Sequence, residues 1–188
     1  MPQFFFVEEG MIQKRLFRWE SMGFFFVSVV GTVLHFVYDW SGGNGLVAAF
    51  SAVNESVWEH MKLLFVSMLL FSILQCLLER RQYPNFWAVR AVSVWVGVAL
   101  IPVLFYTYSG IWGQTVDWVN ILIYYVSAWA AFWLDGHLLR EGALCGPWKQ
   151  ILGWGLLWLL ALAFLWCTWH PVELPLWQDP VTGGYGML

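Results

Sequence analysis

The sequence predicts an all-α integral membrane protein with five transmembrane helices. Three observations support this class: the composition, the spacing of the charged residues and the one-sided distribution of lysine and arginine. Of 188 residues, 60% are hydrophobic and 11% are charged, whereas soluble domains carry about 25% charged residues. So few charges cannot cover the surface of a soluble fold, which excludes a water-soluble enzyme. A net charge of −3 also argues against nucleic acid as a partner, because binding it needs a basic face.

The charged residues leave five long uncharged segments, of 16 to 26 residues each. About twenty residues of α-helix cross a hydrocarbon core of about 30 Å, and a helix satisfies its own backbone hydrogen bonds in lipid. We therefore expect one membrane domain over residues 1–188. Its spans are predicted near 20–40, 54–79, 85–107, 117–137 and 148–169, followed by a tail at 170–188.

The basic residues predict the orientation of these spans. In the five-span arrangement one side of the membrane carries Lys14, Arg15, Arg18, Arg80, Arg81, Arg140 and Lys149. The opposite loops, 41–53 and 108–116, contain neither lysine nor arginine. Basic loops stay in the cytoplasm, so we expect the N-terminus inside and the C-terminus outside. The predicted location is the cell (cytoplasmic) membrane. The lipid bilayer is the expected partner, and homo-oligomerisation is left open.

Ionisable residues gather at the outer end of the second span, within 51–62. On a helix of 100° per residue, Glu55, Glu59 and Lys62 share one face, while His60 points toward a different neighbour. An N-terminal cap accounts for an acid in the first turn. It does not account for Glu59, His60 and Lys62, which lie deeper. Ionisable groups inside a membrane are costly and usually serve ion or substrate chemistry, so we expect a functional cluster here.

The first span supplies a second polar pair at the same depth. His35 and Asp39 are four residues apart, and hence predicted to stack on one helix face. A carboxylate beside an imidazole fixes its tautomer, which suits a metal ligand or a general base. Zinc accepts such groups, so His35, His60 and His170 are candidate metal ligands. The alternative is a hydrogen-bonded histidine at the interface.

The sequence also predicts where the C-terminal tail and two charged residues lie relative to the membrane. The tail at 170–188 combines turn signals with apolar residues and is predicted to fold back over the outer mouth of the bundle; an interfacial strip is the alternative. Asp135, at the inner end of the fourth span, is expected in solvated interface. Arg90, one turn into the third span, is expected to extend its charge to the inner surface.

The run Ser51-Ala52-Val53-Asn54-Glu55-Ser56-Val57-Trp58-Glu59-His60-Met61-Lys62-Leu63-Leu64-Phe65 resembles the hallmark of a family of small bacterial multi-span membrane proteins of unknown function. The segments 35–42 and 179–186 are also similar to that family's pattern. Within the run, the family signature is S-x-V-N-E-S-x-W-E-H-x-K. The resemblance implies a bacterial inner-membrane location and brings no activity.

Three classes of function stay open. The first is a membrane-embedded, metal-assisted enzyme acting on a lipid or lipid-linked substrate, with catalytic groups from His35, Asp39, Glu55, Glu59, His60 and Lys62. The second is a transporter or an ion or proton pathway, and the third is a structural or assembly subunit. The sequence contains no glycine-rich phosphate loop, no HExxH motif and no nucleophile elbow. Whether the protein is an enzyme is therefore undecided at this level.

Overall fold

The computed structural model describes residues 2–79 and 83–187, with side chains from residue 13 onward. The regular secondary structure of this part of the chain is α-helical apart from an isolated bridge between Gln178 and Tyr185, which confirms the prediction of an all-α protein. Its six helices are α1 Pro2–Trp40, α2 Gly45–Ala48, α3 Val57–Glu79, α4 Phe86–Trp112, α5 Asp117–Arg140 and α6 Pro147–Trp169.

Four helical segments in the described ranges are long and apolar enough to cross a membrane, which indicates a membrane protein. They are Gln13–Trp40 of α1, Val57–Glu79, Phe86–Trp112 and Pro147–Trp169. The helix α5 is not one of them. Its 24 residues would reach about 36 Å at 1.5 Å per residue, but tryptophan, tyrosine, asparagine and aspartate dilute its apolar residues. The count of five spans therefore stays a prediction.

Neighbouring helices run mainly antiparallel, so each end of the bundle contains the starts of some helices and the ends of others. Arg15 in the N-terminal half of α1 pairs with Glu79 at the end of α3, while His35 and His60 meet toward the end of α1 and the start of α3. We name this second end of the bundle the site end. It holds the ends of α1, α4 and α6, the starts of α3 and α5, and the C-terminal tail. The opposite end, the basic end, carries Lys14, Arg15, Arg18, Arg140 and Lys149.

Glycines allow close approaches between helices, as at Gly153 and Gly31. A Cβ atom at Gly153 of α6 would lie 2.7 Å from the backbone of Trp87 and Ala88 in α4. A Cβ atom at Gly31 of α1 would overlap the hydroxyl oxygen of Tyr124 in α5. Small residues permit such contacts between membrane helices. The Gly31 contact brings Tyr124 to the site end between α1 and α3.

Arg90 and Asp135 differ from the sequence expectation, because both are fully buried, at 0% exposure. Arg90 Nη2 lies 3.2 Å from Asp135 Oδ2 and donates to Gln75 Oε1 at 2.5 Å. The guanidinium also lies over the rings of Phe86 and Phe132, at 5.2 and 5.4 Å from their centroids. The sequence indicated their depth along the helices. It did not indicate that both side chains face the centre of the bundle.

Candidate metal centre

The start of α3 determines which polar side chains meet at the site end. The helix begins at Val57, after a turn in which Ser56 N donates to Asn54 Oδ1 at 2.9 Å. Glu59 N then donates to Ser56 Oγ at 3.4 Å. Glu55 therefore precedes the helix. The predicted shared face of Glu55, Glu59 and Lys62 is wrong, because helical arithmetic does not extend through this turn.

Glu55 instead lies between two histidines from different helices. Its Oε2 atom is 3.3 Å from His35 Nε2 and 3.8 Å from His60 Nε2. One ligand atom from each residue can be chosen so that all three lie within 4.8 Å of one another. The imidazole centroids are 5.3 Å apart. We call His35, Glu55 and His60 the His–Glu–His trio.

Hydrogen bonds orient the groups of the trio. His60 Nδ1 lies 2.9 Å from Ser56 O, and a carbonyl can only accept, so Nδ1 carries the proton in this contact. The neutral ring then presents the lone pair of Nε2 to Glu55. The hydrogen bond with His35 lowers the pKa of Glu55 below its usual value, against the opposing effect of partial burial. Glu55 is therefore anionic at neutral pH.

A cavity of about 530 Å³ opens beside the trio, between α1, α3, α5 and the tail. Asp117, Asn120, Tyr124 and Tyr125 of α5 contribute polar groups to its wall. Among the described residues, its lining consists of Gly31, Thr32, His35, Phe36, Glu55, His60, Leu63, Thr115, Asp117, Asn120, Ile121, Tyr124, Tyr125, Pro180 and Val181. Such a mixed wall can accommodate a molecule with apolar and polar parts.

Glu59 and Lys62 form a separate, buried ion pair on another side of α3. Glu59 Oε2 lies 2.5 Å from Lys62 Nζ, with side chains 3% and 0% exposed. The carboxylate also accepts from Val53 N at 3.0 Å. The ammonium donates to Ala48 O at 3.0 Å and to Thr168 Oγ1 at 3.1 Å. The pair thus joins α3 to α6 and to the segment around α2.

Within the described residues, neither Asp39 nor His170 makes a hydrogen bond or ion pair with the trio. Asp39 is exposed, and no hydrogen bond or ion pair joins it to His35 within the described residues. His170 is exposed as well, and its ring stacks on Trp166 with centroids 4.3 Å apart. The predicted pairing of His35 with Asp39 is thus replaced by one with Glu55.

The C-terminal tail folds back onto the turn that precedes α3. Asn54 Nδ2 donates to Gly186 O at 2.9 Å, and Trp58 N donates to Leu176 O at 3.0 Å. The rings of Trp58 and Trp177 are 4.7 Å apart between centroids. These contacts fix the tail to the segment that also positions Glu55.

A tight loop within the tail reaches the cavity. Asp179 accepts from Val181 N at 2.9 Å and from Thr182 Oγ1 at 2.7 Å. Gly183 adopts a φ of 75°, which glycine tolerates without a steric penalty. As a result Pro180 and Val181 form part of the cavity wall.

Several residues of the cavity were not identified from the sequence. Asn120 could have been identified from the sequence, because a carboxamide inside a predicted span is costly without a hydrogen-bond partner. It accepts a hydrogen bond from Tyr108. Nothing in the sequence distinguishes Tyr124 from the many other aromatic residues in the predicted spans. Only the three-dimensional arrangement shows that it lines the cavity and that its hydroxyl donates to Val27 O of α1.

Comparison with known proteins identifies a family for this chain. The model of a family of unknown function, DUF6512, matches residues 10–187. No curated protein and no solved structure matches the chain. The match agrees with the expectation of a family without known activity. The signature run and the bacterial location stay predictions.

Proposed function

We propose a function from the geometry of the site, because the chain belongs to a family whose function is unknown. In this proposal the protein binds a divalent metal ion, zinc being the best match, through His35, Glu55 and His60. It uses the ion to hydrolyse or transfer a group on a lipid or lipid-linked substrate. The observation that carries the proposal is three ligand atoms within 4.8 Å of one another beside a cavity of about 530 Å³.

The donor set of the trio suits zinc. Two imidazoles and one carboxylate are a known set for catalytic zinc, which keeps its fourth position open for water or substrate. The contact of His60 Nδ1 with Ser56 O is of the type that orients a ligating histidine through its second nitrogen. His35 and His60 come from different helices, so bound metal would also tie α1 to α3.

The cavity provides room for the reacting group next to the trio. A metal ion with an open position lowers the pKa of bound water and polarises a carbonyl or phosphoryl oxygen. Asp117 and Asn120 line the same cavity. We assign them the role of orienting the polar part of the substrate through hydrogen bonds.

A lipid-type substrate follows from the position of the cavity. It lies at one end of a bundle of apolar helices, where polar head groups meet hydrocarbon. Phe36, Leu63 and Ile121 supply an apolar wall, while the trio and Asp117 supply a polar one. An amphipathic molecule could therefore place its head group at the trio and its chain along the helices.

The buried pair of Glu59 and Lys62 is assigned a structural role in this proposal. Each group already has hydrogen-bond partners, so neither is free to bind substrate. A transport pathway through these residues would need the pair to separate inside the bundle. Their contacts favour a structural ion pair that holds α3 against α6 and α2.

We further propose the five-span topology, with α5 as the fourth span. A reporter fused after residue 188 is then expected outside the cytoplasm, and one inserted near Glu141 inside, because basic loops stay in the cytoplasm. Alkaline phosphatase and green fluorescent protein fusions measure the two sides. Both reporters on the same side would contradict the topology.

The tail is proposed to act as a lid over the cavity. Deleting residues 179–188 removes Pro180 and Val181 from the cavity wall and the contact of Gly186 with Asn54. We expect a chelator to remove zinc from the truncated protein several-fold faster and the melting temperature to fall. Deleting only Met187 and Leu188 is the matched control and should change neither. Unchanged metal release and unchanged stability after the longer deletion would contradict the lid.

Turnover tests the enzymatic part of the proposal. The purified protein is placed in vesicles of extracted bacterial lipids, with and without zinc, and the products are identified by mass spectrometry. Zinc-dependent release of a head group or acyl chain is expected for the wild type and is expected to be lost in His60→Ala. His137→Ala, at the basic end, is the control and should retain activity. Zinc binding without any lipid product would separate the metal site from the proposed reaction.

A further inference from the structure

A second polar group lies inside the bundle near the basic end, away from the metal centre. The carboxyl groups of Glu20 in α1 and Asp135 in α5 lie close together and interact electrostatically. Both oxygens of Glu20 are shielded from solvent, and Asp135 is 0% exposed. The side chain of Glu20 packs on Gly136, where a Cβ atom would lie 3.0 Å from Glu20 Cγ. We call Glu20 and Asp135 the carboxyl pair.

Among the residues that the structure describes, one cation faces the two acids. Arg90 of α4 lies 3.2 Å from Asp135, and Gln75 of α3 and Ser93 of α4 complete the nearby polar groups. Beyond them, toward the basic end, are Tyr83, the ion pair of Glu79 with Arg15, and Arg140. With both acids ionised, the carboxyl pair and Arg90 would hold a net charge of −1 among the phenylalanine rings over Arg90.

A bound proton removes this imbalance. Two adjacent carboxylates repel, and a buried charge without a partner is costly. An ionised carboxylate can only accept hydrogen bonds, and no N–H or O–H of the described residues donates to Glu20. A hydrogen bond between the two carboxyl groups therefore requires a proton on one of them.

We propose that the carboxyl pair is a proton-binding site that holds one shared proton at neutral pH, with Arg90 balancing the remaining charge. A groove of about 470 Å³ leads to it, with Gln13, Ser21 and Arg140 among its lining residues. The proton can exchange with solution at the basic end through this groove. The site is independent of the metal centre, because it shares no residue with the trio or its cavity.

Infrared spectroscopy tests the proposal on the purified protein in nanodiscs at neutral pH. A carbonyl-stretch band of a protonated carboxylic acid, shifted in heavy water, is expected at about one group per chain. Glu20→Gln and Asp135→Asn are each expected to abolish it, because either remaining carboxylate can then pair with Arg90 and ionise. Glu141→Gln, an exposed acid at the same end, should leave the band unchanged.

The outcomes separate this site from the metal centre. Glu55→Gln should keep the band even where it abolishes zinc binding, so the two proposals can fail separately. A wild type without the band would overturn the shared proton, whether or not the variants fold. A band lost in only one of the two variants would also overturn it, because the proton would then belong to a single acid.

Discussion

Glu59→Gln is expected to destabilise the protein by about 3–5 kcal/mol, the usual cost of breaking a buried ion pair. The substitution leaves the ammonium of Lys62 at 0% exposure without a counter-charge. The remaining partners, Ala48 O and Thr168 Oγ1, carry no charge to balance it. Equilibrium unfolding in detergent, or the melting temperature in nanodiscs, measures the effect.

A double-mutant cycle measures the interaction energy between Glu59 and Lys62. Lys62→Met is expected to be destabilising too, whereas the combination with Glu59→Gln should cost less than the two single costs added, because it leaves no buried charge. The exposed pair of His137 and Glu141 is the matched control, with an expected coupling of at most about 1 kcal/mol. Strict additivity at Glu59 and Lys62 would mean that they do not interact.

Substitution of the trio is expected to have the second large effect, on zinc affinity. His35→Ala and His60→Ala each remove one of three ligands. Loss of an outer-shell partner alone costs about 10–100-fold in metal affinity, so we expect the loss of a ligand to exceed 100-fold. Glu55→Gln should have a similar effect, because the carboxamide removes the negative charge. Competition with a chromophoric chelator measures the dissociation constants.

Controls for this series come from the other histidines. His137→Ala and His170→Ala should leave the zinc affinity unchanged, because one lies at the basic end and the other stacks on Trp166. Asp39→Asn should also have little effect, since Asp39 is exposed and no hydrogen bond or ion pair of the described residues joins it to the trio. A His170→Ala variant that loses zinc as strongly as His60→Ala would contradict the trio as the ligand set.

The sequence predicted the helices and their depths better than their faces. Spacing between charges predicts a helix wherever about twenty residues must cross lipid, and predicted spans such as 85–107 and 148–169 correspond to α4 Phe86–Trp112 and α6 Pro147–Trp169. Counting residues from the membrane surface predicted that His35 and His60 lie at the same depth in the membrane. Depth depends only on the rise per residue, which is constant in a helix.

The direction of a side chain depended on local turns and on neighbours, which the sequence does not show. Glu55 seemed to share a face with Lys62 only if the helix began before it, but the Asn54 and Ser56 contacts start the helix at Val57. Arg90 had two acids within reach from α1 and α5, helices distant in sequence. Its burial follows from tertiary packing, which hydropathy along one span does not encode.

Zinc binding by the wild-type protein tests the central claim most directly. The protein is purified, stripped with a chelator, titrated with zinc by isothermal titration calorimetry and dialysed for elemental analysis. The geometry of His35, Glu55 and His60 predicts one zinc ion per chain, retained on dialysis and absent from the His35→Ala, His60→Ala double variant. A wild type that binds no zinc, or binds it no more tightly than the double variant, would contradict the claim.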